Sequence, residues 1–147
     1  GDLKEGDTVK TGEGERATIY VDDRGSRVEL GPNATFLFVK PNEYQILKGK
    51  FALYFKKLEL ELKRSAVGTN AIKVRTPTAV CAVRGTEFLT SVTKTKTVVQ
   101  VLDGLVNVSN LKGTKSVDVS AGEQTTVTKT KLQIPKPFTE RQRIIKQ

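Results

Sequence analysis

The chain has 147 residues, with 25 Lys and Arg against 16 Asp and Glu for a formal charge of +9, one cysteine, and no histidine, methionine or tryptophan. That length closes one substantial core and is short for two. The missing histidine removes the commonest general base, the usual metal ligand and every Ser-His or Cys-His nucleophile, and a lone cysteine forms neither an intrachain disulfide nor a cysteine-rich metal site, so no cofactor and no enzymatic activity are expected.

The apolar residues are mostly Val, Leu, Ala, Ile and Phe beside abundant Thr, a mix that suits pleated, half-buried surfaces. In chain order, Ala17, Ile19 and Val21 alternate with Thr18 and Tyr20, and the turn residues Asp22-Asp23-Arg24-Gly25 predict a hairpin to Arg27–Leu30. Gly31-Pro32-Asn33 leads into 35–39, a Thr-Phe-Leu-Phe-Val run that predicts burial on both faces. Tyr44 to Leu47 passes through Lys48-Gly49 into Phe51 to Phe55. Leu58, Leu60 and Leu62 alternate with Glu59, Glu61 and Lys63, which predicts a strand with one wet face, because three leucines at a period of two cannot share a helix face.

Beyond the turn at Gly68-Thr69-Asn70 come Ile72 to Arg75, Pro77, Thr78 to Val83, Gly85 and Phe88 to Val92. Leu102-Asp103-Gly104 between two β-branched runs predicts a second hairpin, and the turn Ala121-Gly122-Glu123 predicts that Val117–Val119 pairs with Thr125–Val127. Turn signals at roughly 8–12-residue spacing point to an all-β fold, a β-solenoid-like or sandwich arrangement of about ten to twelve short strands. Pro135-Lys136-Pro137 ends the pattern, and Thr139 with Gln142 forms a capping-box signal for a short C-terminal helix. The expected organisation is a β domain over 1–134, then a linker and short terminal helix over 135–147.

Few residues offer chemistry. Cys81, between Val80 and Ala82, reads as a small buried hydrophobe. The carboxylate pairs Asp22 with Asp23 and Glu59 with Glu61 read as solvated charges in a turn and on a strand face. The sequon asparagines Asn33 and Asn107 serve turns or strand ends. Lys94, Lys96, Lys129 and Lys131 alternate with threonines; such lysines guard sheet edges, and they could also contact a partner as the lining of a polyanion groove. Arg84-Gly85-Thr86-Glu87 sets a guanidinium and a carboxylate among apolar strands. There Gly85 predicts a bulge or tight bend, with Arg84 held by backbone carbonyls or by a carboxylate such as Glu87; the alternative role for Arg84 is a partner anchor. No apolar run approaches the ~20 residues of a membrane helix.

The segment Thr76-Pro77-Thr78-Ala79-Val80-Cys81-Ala82-Val83-Arg84-Gly85-Thr86-Glu87-Phe88 resembles the central T-P-x-A-x-x-x-V-R-G-T-x-F signature of the FecR-domain family. Val101 to Val108, with Asp103 and Gly104, is similar to its V-x-E/D-G-x-V-x-V element, Leu3 to Thr11 to its opening L-x-x-G-D-x-V-x-T, and Val119 to Gln124, with Gly122, to its closing L-x-A-G-Q/E. The resemblance implies an extracytoplasmic β-rich domain, with Thr76, Pro77, Arg84, Gly85, Thr86, Glu87, Phe88, Asp103, Gly104 and Gly122 as structural motif residues. It also implies a chain that begins inside or at the start of the native domain, with its targeting segment elsewhere. The reading that follows is a non-catalytic interaction module of the cell envelope, periplasmic or on the cell surface, acting in signalling or surface assembly through an envelope protein partner. Two alternatives stand beside it: binding of anionic polymers, cell-wall glycan or nucleic acid, through the basic surface, and a surface-layer or filament subunit.

Overall fold

The computed structural model describes residues 3–56 and 72–145. Its strands are β1 (Thr8–Lys10), β2 (Ala17–Tyr20), β3 (Arg27–Leu30), β4 (Thr35–Lys40), β5 (Glu43–Tyr54), β6 (Ile72–Arg75), β7 (Ala79–Val83), β8 (Glu87–Val92), β9 (Lys96–Asp103), β10 (Leu105–Asn110), β11 (Ser116–Ser120), β12 (Glu123–Thr128) and β13 (Lys136–Pro137). They form one curled, thirteen-stranded sheet made of two ladders. The first runs β1-β4-β5-β6-β7-β10-β11 and the second β2-β3-β5-β8-β9-β12-β13. Every pairing is antiparallel except that of β5 with β6.

Strand β5 belongs to both ladders. Its first half pairs with β4 and β6, and its second half, from Gly49 onward, pairs with β3 and β8. The change of ladder happens at Gly49, whose φ is +113° and whose hydrogen faces Ala34 so closely that a Cβ would lie 2.6 Å from the Ala34 Cβ and 2.7 Å from its Cα. Only glycine fits a backbone that is both left-handed and in contact with another backbone.

Alternation fills the space between the ladders. Ile72 and Val74 of β6, Ala79, Cys81 and Val83 of β7, Val99 and Val101 of β9, and Val106 and Val108 of β10 are buried, while Lys73 and Arg75 point to solvent. A row of rings crosses the interior: Phe36 lies 5.7 Å from Tyr44, Tyr44 6.0 Å from Phe55, and Phe55 6.4 Å from Phe88. Each fully buried phenylalanine contributes roughly 1.5–3 kcal/mol of transfer free energy, so this row is a main tie between the ladders.

The all-β expectation holds, with thirteen strands among the described residues. The hairpin of β2 with β3 forms with Tyr20 opposite Arg27. Other local pairings do not. β9 pairs with β8 and β12, and β10 with β7 and β11, so Asp103-Gly104 carries the chain from one ladder to the other instead of closing a hairpin. Ala121-Gly122 does the same between β11 and β12, where the Gly122 N–H donates to the Val101 carbonyl at 2.8 Å. In β4 Phe36 is buried, but Leu37, Phe38 and Val39 are half-buried, because the strand sits between short β1 and the first half of β5 with one face toward solvent. The terminal helix is a 3-10 turn, Glu140–Gln142, in which Gln142 Oε1 accepts from the Thr139 N–H at 2.8 Å. The Leu58–Leu62 alternation and the Glu59 and Glu61 pair lie outside the described residues.

Candidate functional site

The segment from Thr76 to Phe88 runs the length of the molecule and takes part in both of its ends. At the first end, Thr76-Pro77-Thr78 forms the turn between β6 and β7, closed by the Thr76 N–H donating to the Ala79 carbonyl at 2.9 Å. Pro77 pre-sets the turn, and Thr76 Oγ1 accepts from the N–H groups of Thr78 at 3.2 Å and Ala79 at 3.0 Å. Across the interior, the Thr97 hydroxyl sits 2.7 Å from that of Thr76 and 2.8 Å from that of Thr78, and Thr78 Oγ1 donates to the Val127 carbonyl at 3.1 Å. Each hydroxyl has one proton. Thr78 gives its proton to Val127, so it must accept from Thr97, and Thr97 must accept from Thr76. This directed chain fastens the first ladder to β9 and β12 of the second, with all three threonines buried.

The same end gathers the lysine turns. The β8–β9 turn closes by the Thr93 N–H donating to the Lys96 carbonyl at 2.9 Å, and the turn after β12 repeats this from Thr128 to Lys131 at 2.9 Å. Lys96 faces Thr128 across the β9–β12 ladder, so Lys94, Lys96, Lys129 and Lys131 are neighbours. Lys96 opens an interior strand and not a sheet edge. A groove of about 430 Å³ lies between Pro77 and the β10–β11 loop, whose Lys112 and Lys115 join the group. Sequence reasoning passed over these two lysines and read Thr97 only as the end of a Lys-Thr alternation, not as a buried link between the ladders. The Lys112-Gly113-Thr114-Lys115 stretch continues the Lys-Thr rhythm, which was the available signal.

At the opposite end, Arg84-Gly85-Thr86 carries the chain from β7 in the first ladder to β8 in the second. The Thr86 carbonyl accepts from the Phe55 N–H at 2.8 Å. Gly104, at φ +90°, packs onto this bend: a Cβ there would lie 2.6 Å from Thr86 Cγ2 and 3.0 Å from the Gly85 carbonyl oxygen. The bend and the Asp103-Gly104 crossing, 18 residues apart in sequence, therefore form one tight contact. Thr86 is 2% exposed, and its hydroxyl has no hydrogen-bond partner among the described residues. Arg84 is half-buried and makes no ion pair with Glu87; among the described residues the ion pairs are Asp22–Arg24, Arg27–Glu29, Lys40–Glu43 and Glu140–Arg143. The reason is geometric: Glu87 opens β8 opposite Asp103 and Tyr54, a ladder that Arg84 has not entered. Phe88 is buried in the aromatic row.

Around the bend, Glu87, Leu102, Gly122, Phe138, Glu140 and Arg143 line an open hollow of about 360 Å³. The chain's last described residues close onto it through Gln100, a buried glutamine whose amide donates to the Gln142 carbonyl at 2.7 Å and accepts from the Ile144 N–H at 2.8 Å. The Asp22 turn also lies at this end. Burial raises the Asp22 pKa, but bonds from the Ser26 side chain, the Arg24 and Ser26 N–H groups and the Arg24 guanidinium outweigh it and leave the carboxyl below its ordinary value.

Other sequence candidates have structural surroundings. Cys81 is buried, and burial pushes its thiol up to about 12, far from a reactive thiolate. Asn33 occupies a left-handed turn position with φ 56°, and Asn107 donates to the Asp118 carboxylate at 2.9 Å. Among the described residues there is no group of three His, Cys, Asp or Glu able to hold a metal, and no helix is long and apolar enough to cross a membrane.

A model of the family described as "FecR protein" matches residues 7–107, a span that includes both ends of the Thr76–Phe88 segment and the Asp103-Gly104 crossing. Two crystal structures, each described as a "putative anti-sigma factor" from Parabacteroides distasonis ATCC 8503, share the fold with TM-scores of 0.69 and 0.68 at 18% and 19% sequence identity. Each match covers 89% of this chain and 59% of the crystallised one, so the chain spans about three-fifths of those proteins' length. No curated protein matches the chain.

Proposed function

We infer, since this chain belongs to the FecR protein family, that it is a non-catalytic signalling module of the cell envelope, exposed outside the cytoplasm and working by binding an envelope protein. The observation that carries the reading is the family match over 7–107. The description of two structures of the same fold as anti-sigma factors supports a regulatory role.

The bend end is the surface proposed for that partner. Arg84 is half-buried there, two residues before Thr86, whose buried hydroxyl has no partner among the described residues, and the open hollow at the start of β8 is lined by Glu87, Glu140 and Arg143. A site of mixed charge, with an arginine that a partner can fully desolvate, suits recognition of a polar protein surface. The test immobilises the chain and presents envelope extract. A retained protein that is lost on Arg84→Ala, at an unchanged melting temperature, is the expected result. Retention of glycan with no protein would remove the reading.

A further inference from the structure

The turns at 76–78, 93–96, 110–115 and 128–131 carry Lys94, Lys96, Lys112, Lys115, Lys129 and Lys131, all exposed, and no carboxylate. Among the described residues none of the six forms an ion pair. Between these turns lies the groove of about 430 Å³, with Pro77 and Leu111 supplying apolar surface and Lys112 and Lys129 among its lining. Its neutral polar groups bond mainly to one another: the Asn110 amide accepts from the N–H groups of Thr114 at 3.0 Å and Lys115 at 3.3 Å and donates to the Thr114 hydroxyl at 2.8 Å. Thr78 is committed to Thr97 and the Val127 carbonyl. Apart from the Thr114 hydroxyl proton, the uncommitted side-chain donors are the ammonium groups of Lys112 and Lys129, so a ligand here is recognised chiefly by its negative charge.

We propose that this end binds an acidic polysaccharide, a sugar chain bearing carboxylates or phosphates, laid along the groove between Lys112 and Lys129. The apolar surface of Pro77 and Leu111 meets the C–H faces of the sugars, and the flanking lysines meet successive acidic groups. Nucleic acid fits less well, because no aromatic residue occurs in these turns to stack a base. A membrane surface fits less well too, because Leu111, 53% exposed, is the one large exposed apolar residue these turns offer for insertion. The site is at the far end from Arg84, and the proposal does not depend on the signalling reading.

The test titrates the 147-residue chain with polygalacturonate, which carries carboxylates, and with phosphomannan, which carries phosphates; neutral dextran, oligo(dT) and phosphatidylglycerol vesicles serve as comparisons. Binding to either acidic polysaccharide but not to dextran is expected, falling steeply as salt rises. Lys112→Gln with Lys129→Gln should weaken it about tenfold, the size of two ordinary exposed charge contacts, while Lys40→Gln with Lys73→Gln, the same charge change elsewhere, should stay within about twofold. Equal losses from the two pairs would reduce the effect to net charge and overturn the site. Tighter lysine-dependent binding of oligo(dT) or of vesicles would overturn the ligand class, and no binding to either acidic polysaccharide would overturn both.

Discussion

The two ends of this domain solve the same problem in opposite ways. Each must hold the two ladders together, the bend end where the chain crosses between them and the lysine end where hairpins of both meet, and each does so around buried threonine. At the lysine end three hydroxyls form a directed chain of hydrogen bonds that ends on the Val127 carbonyl. At the bend end Thr86 is as deeply buried, yet its hydroxyl has no partner among the described residues, and closure rests on the fit of Gly104 against the backbone. A hydrogen-bonded lock leaves only charge on its outer surface, whereas a steric lock leaves an unmet polar atom inside. The first suits an end recognised by electrostatics, and the second an end that a partner or a shift in packing can alter.

Substitutions that remove one lock at a time can break this contrast. The largest effect is expected for Gly104→Ala, which meets a left-handed backbone and a collision with Thr86 and the Gly85 carbonyl together; about 3 kcal/mol of stability should be lost, read by denaturant titration. Thr97→Val keeps the shape of a fully buried side chain but removes both its hydroxyl contacts, leaving the Thr76 proton only the long 3.5 Å approach to the Ala79 carbonyl, and should cost about 2 kcal/mol in the same titration. The identical change at the other end, Thr86→Val, should be neutral or stabilising by up to about 1 kcal/mol, because the hydroxyl it removes gains nothing in the folded state. Matching losses from the two valine variants would erase the distinction between the ends.

The smallest effect concerns acid. Asp22 has a folded pKa held below its ordinary 3.8, so its contribution is present above that value and is lost as pH falls through the lower, folded one. Asp22→Asn should therefore cost about 1 kcal/mol near neutral pH, and the gap to the parent should close as pH falls below 3.8 and through the lower, folded value. The threonine lock contains no titrating group. Lowering the pH below 3.8 should thus loosen the Asp22–Ser26 turn, read by hydrogen exchange, while the amides of Thr97 and Val127 stay protected.

Much of the strand content was legible because alternation is local. Ile72 and Val74 against Lys73 and Arg75, or Ala79, Cys81 and Val83 in β7, declare their buried face without reference to anything distant. Pairing was less so. Asp103-Gly104 has the chemistry of a hairpin turn, and a glycine at positive φ serves equally well to pass the chain between ladders; the deciding contact is with Gly85 and Thr86, far back in the sequence. The lysine end was visible as separate Lys-Thr repeats, but its gathering depends on the register that sets Lys96 opposite Thr128. Arg84 was singled out by its odd company, and its lack of pairing with Glu87 follows from the ladder that Glu87 joins.

Strand β5 has a consequence for how the domain comes apart. Because one continuous strand supplies a central member to each ladder and changes allegiance at Gly49, neither ladder can melt while the other keeps a complete set of neighbours. Unfolding should be a single cooperative transition seen alike by every probe, and a ligand held at one end should raise the protection of amides at the other without any change of shape.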